Sequence, residues 1–211
     1  MKKEVPIMHI LIVSAALLAC AQDRPPNEIR EYEGKRLSAF DREYDNSIKG
    51  PQKVNIDTYR LEITGLVDTP LALTYKEVLA LPNVKRAITL YCVEGWSEDL
   101  LFEGVRLSDI LAKAKPKPTM QTVIFHAVDG YTSSLASAYV KEKDLLLAYK
   151  INGRVLDERR GFPFQVVAES KLGYKWVKWV KKIELSDKPY QGYWEQRGYD
   201  NAADVKNSTR R

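Results

Sequence analysis

The chain has 211 residues, which is enough for one domain with a full hydrophobic core and too few for two domains of ordinary size. Hydrophobic residues make up 45% and charged residues 29%, a globular balance that argues against intrinsic disorder in the middle of the chain. The net charge of +5 is a mild excess and predicts no nucleic-acid partner.

The first twenty residues have the layout of a secretory signal. Two lysines precede an apolar run at 7–19, which is too short to span a bilayer comfortably. The sequence LLAC at 17–20 resembles a bacterial lipobox, which implies cleavage before Cys20 and lipid on its sulfur. We therefore expect an exported lipoprotein, anchored in a membrane and facing the periplasm or the cell exterior. An uncleaved anchor and a plain signal peptide are the alternatives.

Composition divides the rest of the chain into three parts. Residues 20–50 are polar and charged, with a Pro-Pro pair, as expected of a lipidated tether and N-terminal extension. Residues 51–190 have the pattern of a folded domain. Residues 191–211 form a C-terminal tail, which we expect to fray after about Tyr199 because it is polar.

Within the domain, short strand patterns are scattered among short helix patterns. Thr74 and Glu77 form a capping box that opens a short helix, and Pro82 stops it. A second helix is predicted at 107–114, and the lysine spacing of KWVKWVKK at 175–182 suits a helical turn. Strands are predicted at 57–64, 84–91, 122–128, 145–151, 164–168 and 183–185. This mixture predicts an α+β fold with a mixed or antiparallel sheet.

Cys92 is the cysteine that the composition leaves unexplained. It follows the strand predicted at 84–91 and stands in the sequence YCVEGWS. If Cys20 carries lipid, Cys92 is the only thiol of the mature chain, and an intramolecular disulfide is impossible. Strand ends are common positions for functional residues, so Cys92 is a candidate site residue.

Several chemistries for Cys92 remain open at this point. It could be a buried small hydrophobe, or the nucleophile of a thiol hydrolase with His126 as base and Asp129 as its orienter. A zinc site has too few Cys and His ligands, and haem attachment lacks its C-x-x-C-H motif. A cofactor that brings its own sulfur ligands would need one protein thiolate to hold it.

A set of ordered motifs resembles the molybdopterin-binding domain of the sulfite oxidase family. The motifs are YCVEGWS at 91–97, FEGV at 102–105, LSDIL at 107–111, FHAVDGYTSSL at 125–135, LLAYKINGRVL at 146–156 and GFPFQVVAESKLGYKWVKWVKKIEL at 161–185. The resemblance covers roughly residues 51–190. It implies a single α+β domain with a mixed β-sheet and short helices, which binds the molybdenum-molybdopterin cofactor.

The resemblance also implies a set of site residues. Cys92 would be the molybdenum ligand, and the segment GYKWVK would hold the pterin and its phosphate through Gly173, Lys175, Trp176, Val177 and Lys178. The alternative is that the segment has only a structural role, in which its lysines form a solvated basic face and its tryptophans pack in the core.

Three further positions are assigned by the same resemblance. Tyr131 would be the active-site tyrosine, donating a hydrogen bond to substrate or to a ligand of the metal, and Asn46 would be an N-terminal pterin contact. Many relatives have an arginine where this chain has Gln165, and Arg160 would compensate for the lost charge by reaching the phosphate.

The implied activity is two-electron oxygen-atom transfer on a small oxyanion or an S- or N-oxide, as in sulfite oxidation or sulfoxide reduction. Electrons would pass to or from a separate protein, such as a cytochrome or a quinone-linked membrane subunit. Exported relatives generally travel folded through the twin-arginine route, yet MKKEVP has no arginine pair. This conflict keeps a non-catalytic lipoprotein, binding a small anion or a partner protein on the same scaffold, as the alternative.

Overall fold

The computed structural model describes residues 27–41 and 46–205. The predicted signal peptide and the predicted lipidation site at Cys20 lie outside this range. The elements in chain order are β1 Glu31–Tyr32, β2 Lys35–Arg36, β3 Leu61–Gly65, β4 Leu71–Leu73, α1 Tyr75–Leu79, β5 Asn83–Tyr91, β6 Ser97–Arg106, α2 Leu107–Ala114, β7 Thr122–Ala127, β8 Thr132–Ala136, α3 Ser137–Lys143, β9 Leu146–Ile151, β10 Arg154–Val155, β11 Gln165–Val167, a 3-10 helix Gly173–Lys175, β12 Val180–Ser186 and a 3-10 helix Glu195–Arg197.

Two five-stranded sheets form the body of the described chain. One has the order β10-β9-β6-β5, with β11 pairing the same strand β9, and its pairs are antiparallel. The other has the order β4-β3-β12-β7-β8 and is mixed, because β12 runs parallel to β3 and antiparallel to β7. Side chains of both sheets and of α2 belong to one buried hydrophobic cluster. The predicted α+β class with a mixed sheet and short helices is confirmed.

Local sequence determines several elements directly. Helix α2 has the predicted bounds and buries Leu107, Ile110 and Leu111 on one face. Thr74 and Glu77 form the predicted capping box at the start of α1, and β5 ends at Tyr91, so that Cys92 begins the next loop as predicted.

Other elements differ from the prediction because tertiary pairing overrides local pattern. The strand predicted at 57–64 begins only at Leu61, and β6, β8 and α3 were not predicted. The helical turn predicted at 175–182 is wrong over most of its length. The 3-10 helix ends at Lys175, Trp179 has a φ of 49°, and β12 begins at Val180.

The expectation that the tail frays after Tyr199 is also wrong over the described residues. Ala203 is 1% exposed, and Asp204 accepts a hydrogen bond from Lys171 Nζ at 2.5 Å. Buried lysines on the domain give this polar tail its partners. No helix among residues 27–41 and 46–205 is long and apolar enough to cross a membrane.

Candidate active site

A cavity of about 370 Å³ opens beside the end of β5. It gathers residues from several distant parts of the chain. Its lining comprises Asn46, Ser47, Ile48, Leu90, Cys92, Val93, Glu94, Trp96, Glu98, Leu100, Asp129, Tyr131, Arg160, Gln165, Gly173, Tyr174, Trp176, Lys178, Trp179, Trp194 and Tyr199. Seven of the predicted site residues therefore share one cavity: Asn46, Cys92, Tyr131, Arg160, Gly173, Trp176 and Lys178.

Cys92 begins the tight loop that joins β5 to β6. The strands pair up to Tyr91 and Ser97, the Cys92 amide donates to the Trp96 carbonyl at 2.9 Å, and the Gly95 amide donates back to the Cys92 carbonyl at 3.2 Å. This loop holds the thiol at the cavity wall, where Cys92 is 8% exposed. A hairpin tip between two long strands is a rigid support for a single ligand atom.

Polar groups surround the sulfur. Asn46 Nδ2 lies 3.7 Å from Cys92 Sγ and donates to Glu94 Oε2 at 3.3 Å. Glu94 Oε2 also accepts from Trp96 Nε1 at 3.0 Å, and this bond is the main reason that its pKa is lowered. Burial raises the pKa of the Cys92 thiol. A bound cation would oppose that effect, since a coordinating thiol is deprotonated by its metal.

Gly161 allows two loops to meet at the cavity wall. Its φ is +96°, and a Cβ built there would lie 2.8 Å from Lys178 Cβ. Only glycine tolerates both conditions. The approach places Lys178 in the lining, where its Nζ donates to the Arg159 carbonyl at 2.9 Å.

Arg160 is anchored by a buried carboxylate. Its Nη1 lies 2.9 Å from Oε2 of Glu98, which is 1% exposed, and its Nη2 donates to the Phe40 carbonyl at 2.7 Å. Gln165, at the start of β11, lines the same cavity and is 4% exposed. Both positions of the predicted charge replacement therefore line the same cavity, and phosphate binding by Arg160 stays a prediction.

Two residues of the GYKWVK segment lie away from the cavity lining, as far as the described residues show. Val177 is buried, and its carbonyl accepts from the Val166 amide. Lys175 is fully buried, with Nζ 2.5 Å from Glu195 Oε1 and 3.0 Å from the Ser134 carbonyl. Its ammonium group is thus part of the internal structure, in contrast to the cofactor contact that the sequence predicts.

Tyr131 lines the cavity, but its hydroxyl has a partner within the protein. It donates to the Tyr174 carbonyl at 2.5 Å, and the Tyr131 amide donates to Asp129 Oδ1 at 2.8 Å. Burial raises the pKa of the Tyr131 phenol, so the hydroxyl stays protonated at neutral pH. The position of the Tyr131 ring is therefore fixed by hydrogen bonds at its hydroxyl and at its backbone amide.

His126 does not reach the cavity. It lies on β7, and its Nε2 is 3.0 Å from Glu184 Oε2 on the neighbouring β12. Burial is the main cause of its lowered pKa. Since the described lining includes Cys92 and Asp129 without His126, the structure does not assemble the thiol-hydrolase set.

The donor chemistry of the cavity fits a molybdenum-pterin group. Its volume lies in the usual range for ligand sites, about 300–1,000 Å³. One thiol, two cationic side chains and a glycine face it. A Cβ at Gly173 would meet the Tyr91 carbonyl at 3.5 Å, an ordinary contact, so packing within the protein does not require glycine there. Its missing side chain leaves space next to Cys92.

Comparison with known proteins agrees with this chemistry. The profile of the oxidoreductase molybdopterin binding domain matches residues 48–194. The chain belongs to that family. This family comprises molybdopterin-dependent oxidoreductases of the sulfite oxidase type, and the cofactor of the family is the molybdenum cofactor.

Individual members of the molybdopterin-binding family are similar over most of the domain. The oxidoreductase YuiH of Bacillus subtilis is 34% identical over 155 residues, covering 73% of this chain and 78% of that protein. Protein-methionine-sulfoxide reductase catalytic subunit MsrP of Gluconobacter oxydans is 31% identical, covering 67% and 51%. Sulfite oxidase of Arabidopsis thaliana is 29% identical, covering 69% and 46%.

A solved structure has a similar fold. The sulfane dehydrogenase SoxCD of Paracoccus pantotrophus gives a TM-score of 0.63 at 26% identity, covering 66% of this chain and 41% of that one. The chain thus spans about half the length of MsrP, sulfite oxidase and SoxCD, and most of YuiH.

Sequence reasoning missed several lining residues of this molybdopterin-binding domain. Glu94 and Trp96 could have been found, because they follow Cys92 in the same loop. Glu98 had no such indication, since a carboxylate inside a strand usually faces solvent. Trp194 and Tyr199 lie in the polar C-terminal tail and reach the cavity only through the fold.

Proposed function

We propose that the protein is a molybdenum-cofactor oxidoreductase in which Cys92 is the protein ligand of the metal, catalysing two-electron oxygen-atom transfer on a small oxyanion or an S- or N-oxide. One observation supports this most: the thiol of Cys92 opens onto a cavity that also contains Gly173, Arg160 and Lys178. These are the groups needed to bind a metal, a flat ring system and a phosphate together.

Each residue has a role that follows from its chemistry. The Cys92 thiolate holds the metal, and Asn46 orients the sulfur by its weak hydrogen bond. Lys178 and Arg160 supply positive charge for the phosphate, Lys178 as a point charge and Arg160 from its place beside Glu98. The Gly173 and Trp176 backbone contacts the pterin. Tyr131 presents a protonated phenol ring that excludes water from the reacting face.

The cofactor, when bound, supplies two-electron chemistry and carries one oxygen atom. Sulfoxide reduction consumes two electrons and two protons and releases a thioether and water. Sulfite oxidation is the reverse type, in which sulfite and water give sulfate, two protons and two electrons. Both need an exchange of electrons with a separate redox protein, and we propose a cytochrome or a quinone-linked membrane subunit. MsrP is named as a catalytic subunit, which supports such a division.

Metal and pterin content tests the proposal. The full chain is purified from a host that makes the cofactor, together with Cys92→Ser. His126→Gln is the matched control, because His126 lies outside the described lining. We expect about one molybdenum per wild-type and His126→Gln chain, and loss in Cys92→Ser. A well-folded wild type without molybdenum would contradict the enzyme and support the binding scaffold.

We further propose that the protein is exported and anchored by lipid on Cys20, with the tether holding the domain away from the membrane. The layout of residues 1–20 supports this. Metabolic labelling with a palmitate analogue should label the wild type and spare Cys20→Ala. Equal labelling of both proteins would exclude the lipobox.

A further inference from the structure

The C-terminal segment, defined here as residues 194–205, begins where the match to the family profile ends, and it contributes to the cavity. The family profile ends at residue 194. Trp194 is the last residue of that match and Tyr199 lies beyond it, and both line the cavity that contains Cys92. This segment is therefore a feature through which this chain can differ from other members of its family.

Aromatic rings form one continuous wall there. The Trp194 and Tyr199 ring centroids are 5.1 Å apart, and Tyr199 stands edge-on to Tyr174 at 5.2 Å. Tyr131 is joined to Tyr174 through its hydroxyl. We call Tyr131, Tyr174, Trp194 and Tyr199 the aromatic wall. All four line the cavity.

A buried ion pair holds the segment in place. Glu195 follows Trp194 directly and is 4% exposed. Its Oε1 accepts from Lys175 Nζ and from Ser133 Oγ, both at 2.5 Å. Asn201 Oδ1 accepts from the same Lys175 Nζ at 3.1 Å. A charge pair that is fully out of solvent tolerates few alternative positions, so it specifies how the segment docks.

The charges of the lining do not favour an inorganic anion as substrate. Three carboxylates, Glu94, Glu98 and Asp129, face the cavity together with two cations, Arg160 and Lys178. Arg160 is paired with Glu98, and both cations are assigned to the cofactor phosphate under the proposed function. Glu94, Asp129 and the aromatic rings are what remains to meet the substrate. Aromatic faces attract apolar or cationic groups.

We propose that Trp194 and Tyr199 are specificity-determining residues that select an uncharged organic S- or N-oxide over an inorganic oxyanion, and that Lys175 and Glu195 position them. The organic group of the substrate packs against the aromatic wall. This inference rests on the proposed function, because the oxide must reach a cofactor held at Cys92.

Ligand affinity tests the wall directly. Molybdenum-loaded wild type, Trp194→Ala, Tyr199→Ala and Trp194→Phe are titrated calorimetrically with methyl phenyl sulfoxide and with sulfite, and steady-state KM is measured with reduced viologen dye. Tyr32→Ala, a half-exposed tyrosine of β1 outside the described lining, is the matched control. We expect the sulfoxide Kd and KM to rise about tenfold in both alanine variants and to recover in Trp194→Phe.

The outcomes separate the two proposals. Sulfoxide affinities within twofold of wild type in both alanine variants, with molybdenum present, would overturn the wall alone. Tighter binding of sulfite than of sulfoxide by the wild type would overturn the substrate class. Absence of molybdenum from the wild type overturns the proposed function, and this inference with it.

Proteolysis tests the positioning pair by a route independent of activity. Arg197 is exposed two residues after Glu195, so trypsin should cut there once the segment detaches. We expect Glu195→Ala to be cut at least tenfold faster than wild type, and Lys175→Met/Glu195→Leu to resist, because two apolar groups can replace a buried pair. Equal cutting of wild type and Glu195→Ala would show that the pair does not hold the segment.

Discussion

Nζ of Lys175 lies 2.5 Å from Oε1 of Glu195, and neither side chain is accessible to solvent. This pair connects the 3-10 helix after β11 to the C-terminal segment, across a separation of twenty residues. It links the domain to the part of the cavity wall that begins at the end of the family profile, as the Lys171–Asp204 pair at 2.5 Å also does. Because both groups are buried, its integrity is measurable as stability.

Removing one member of the Lys175–Glu195 pair should cost far more than removing both. Glu195→Ala leaves a buried ammonium group uncompensated, and we expect the free energy of unfolding to fall by about 3–5 kcal/mol. Lys175→Met/Glu195→Leu should recover most of this loss. Urea denaturation of the three proteins measures it. Equal destabilisation by the single and double variants would contradict a specific charge pair.

Arg160 should separate a structural from a cofactor role when it is changed together with Glu98. Arg160→Ala leaves the buried Glu98 unpaired, so it should lose both stability and cofactor. Adding Glu98→Gln removes the unpaired charge, and stability should return while cofactor content stays low. Pterin content and denaturation are measured on the same samples. Full cofactor retention in the double variant would refute phosphate binding by Arg160.

Lys178 and Lys181 offer a matched test of the basic segment. Lys178 lines the cavity, whereas Lys181 is exposed on β12 outside the described lining. We expect Lys178→Gln to lower cofactor content several-fold and Lys181→Gln to leave it at the wild-type level, because only the first can meet the phosphate. Measuring the molybdenum content of both variants tests this prediction. Equal content would indicate that these lysines form a solvated face.

Gly161→Ala should disturb the cavity wall through the backbone. An added Cβ would lie 2.8 Å from Lys178 Cβ at a φ of +96°, and we expect a loss of about 2–4 kcal/mol in stability. Gly34→Ala is the control, because its φ is +75° with no atom within 4 Å. Thermal unfolding of both variants separates the destabilisation caused by the close contact from the destabilisation caused by the positive φ. Similar losses would show that the contact with Lys178 is soft.

His126 should affect stability below neutral pH and leave the cofactor unaffected. Burial lowers its pKa in the folded protein, so the unfolded chain binds a proton at higher pH than the folded one. Stability from this group is full above about pH 6.5 and is lost as pH falls through the lowered pKa. Urea midpoints at pH 7.5 and 5.5 should therefore differ more for wild type than for His126→Gln. The same difference in both proteins would contradict the lowered pKa of His126.

Local sequence predicted the parts of the fold that depend on neighbours in the chain. Helix α2 has the expected bounds because its apolar spacing and its flanking residues agree, and β5 ends where Cys92 begins a loop. Strand β6 escaped prediction for a physical reason. It pairs with β5 on one edge and β9 on the other, so a nearly continuous buried run replaces the alternation that identifies a half-exposed strand.

The sequence by itself determined the family, the cofactor and the position of Cys92 at the end of a strand. Motifs and strand boundaries depend on residues that are close together in the chain. Only the tertiary structure decided which polar groups face the cavity and which form buried pairs within the protein. It turned Lys175 inward to Glu195, paired Arg160 with Glu98 and brought Trp194 and Tyr199 to the site. Burial and pairing of charges depend on contacts between residues far apart in the chain, and no local pattern records them.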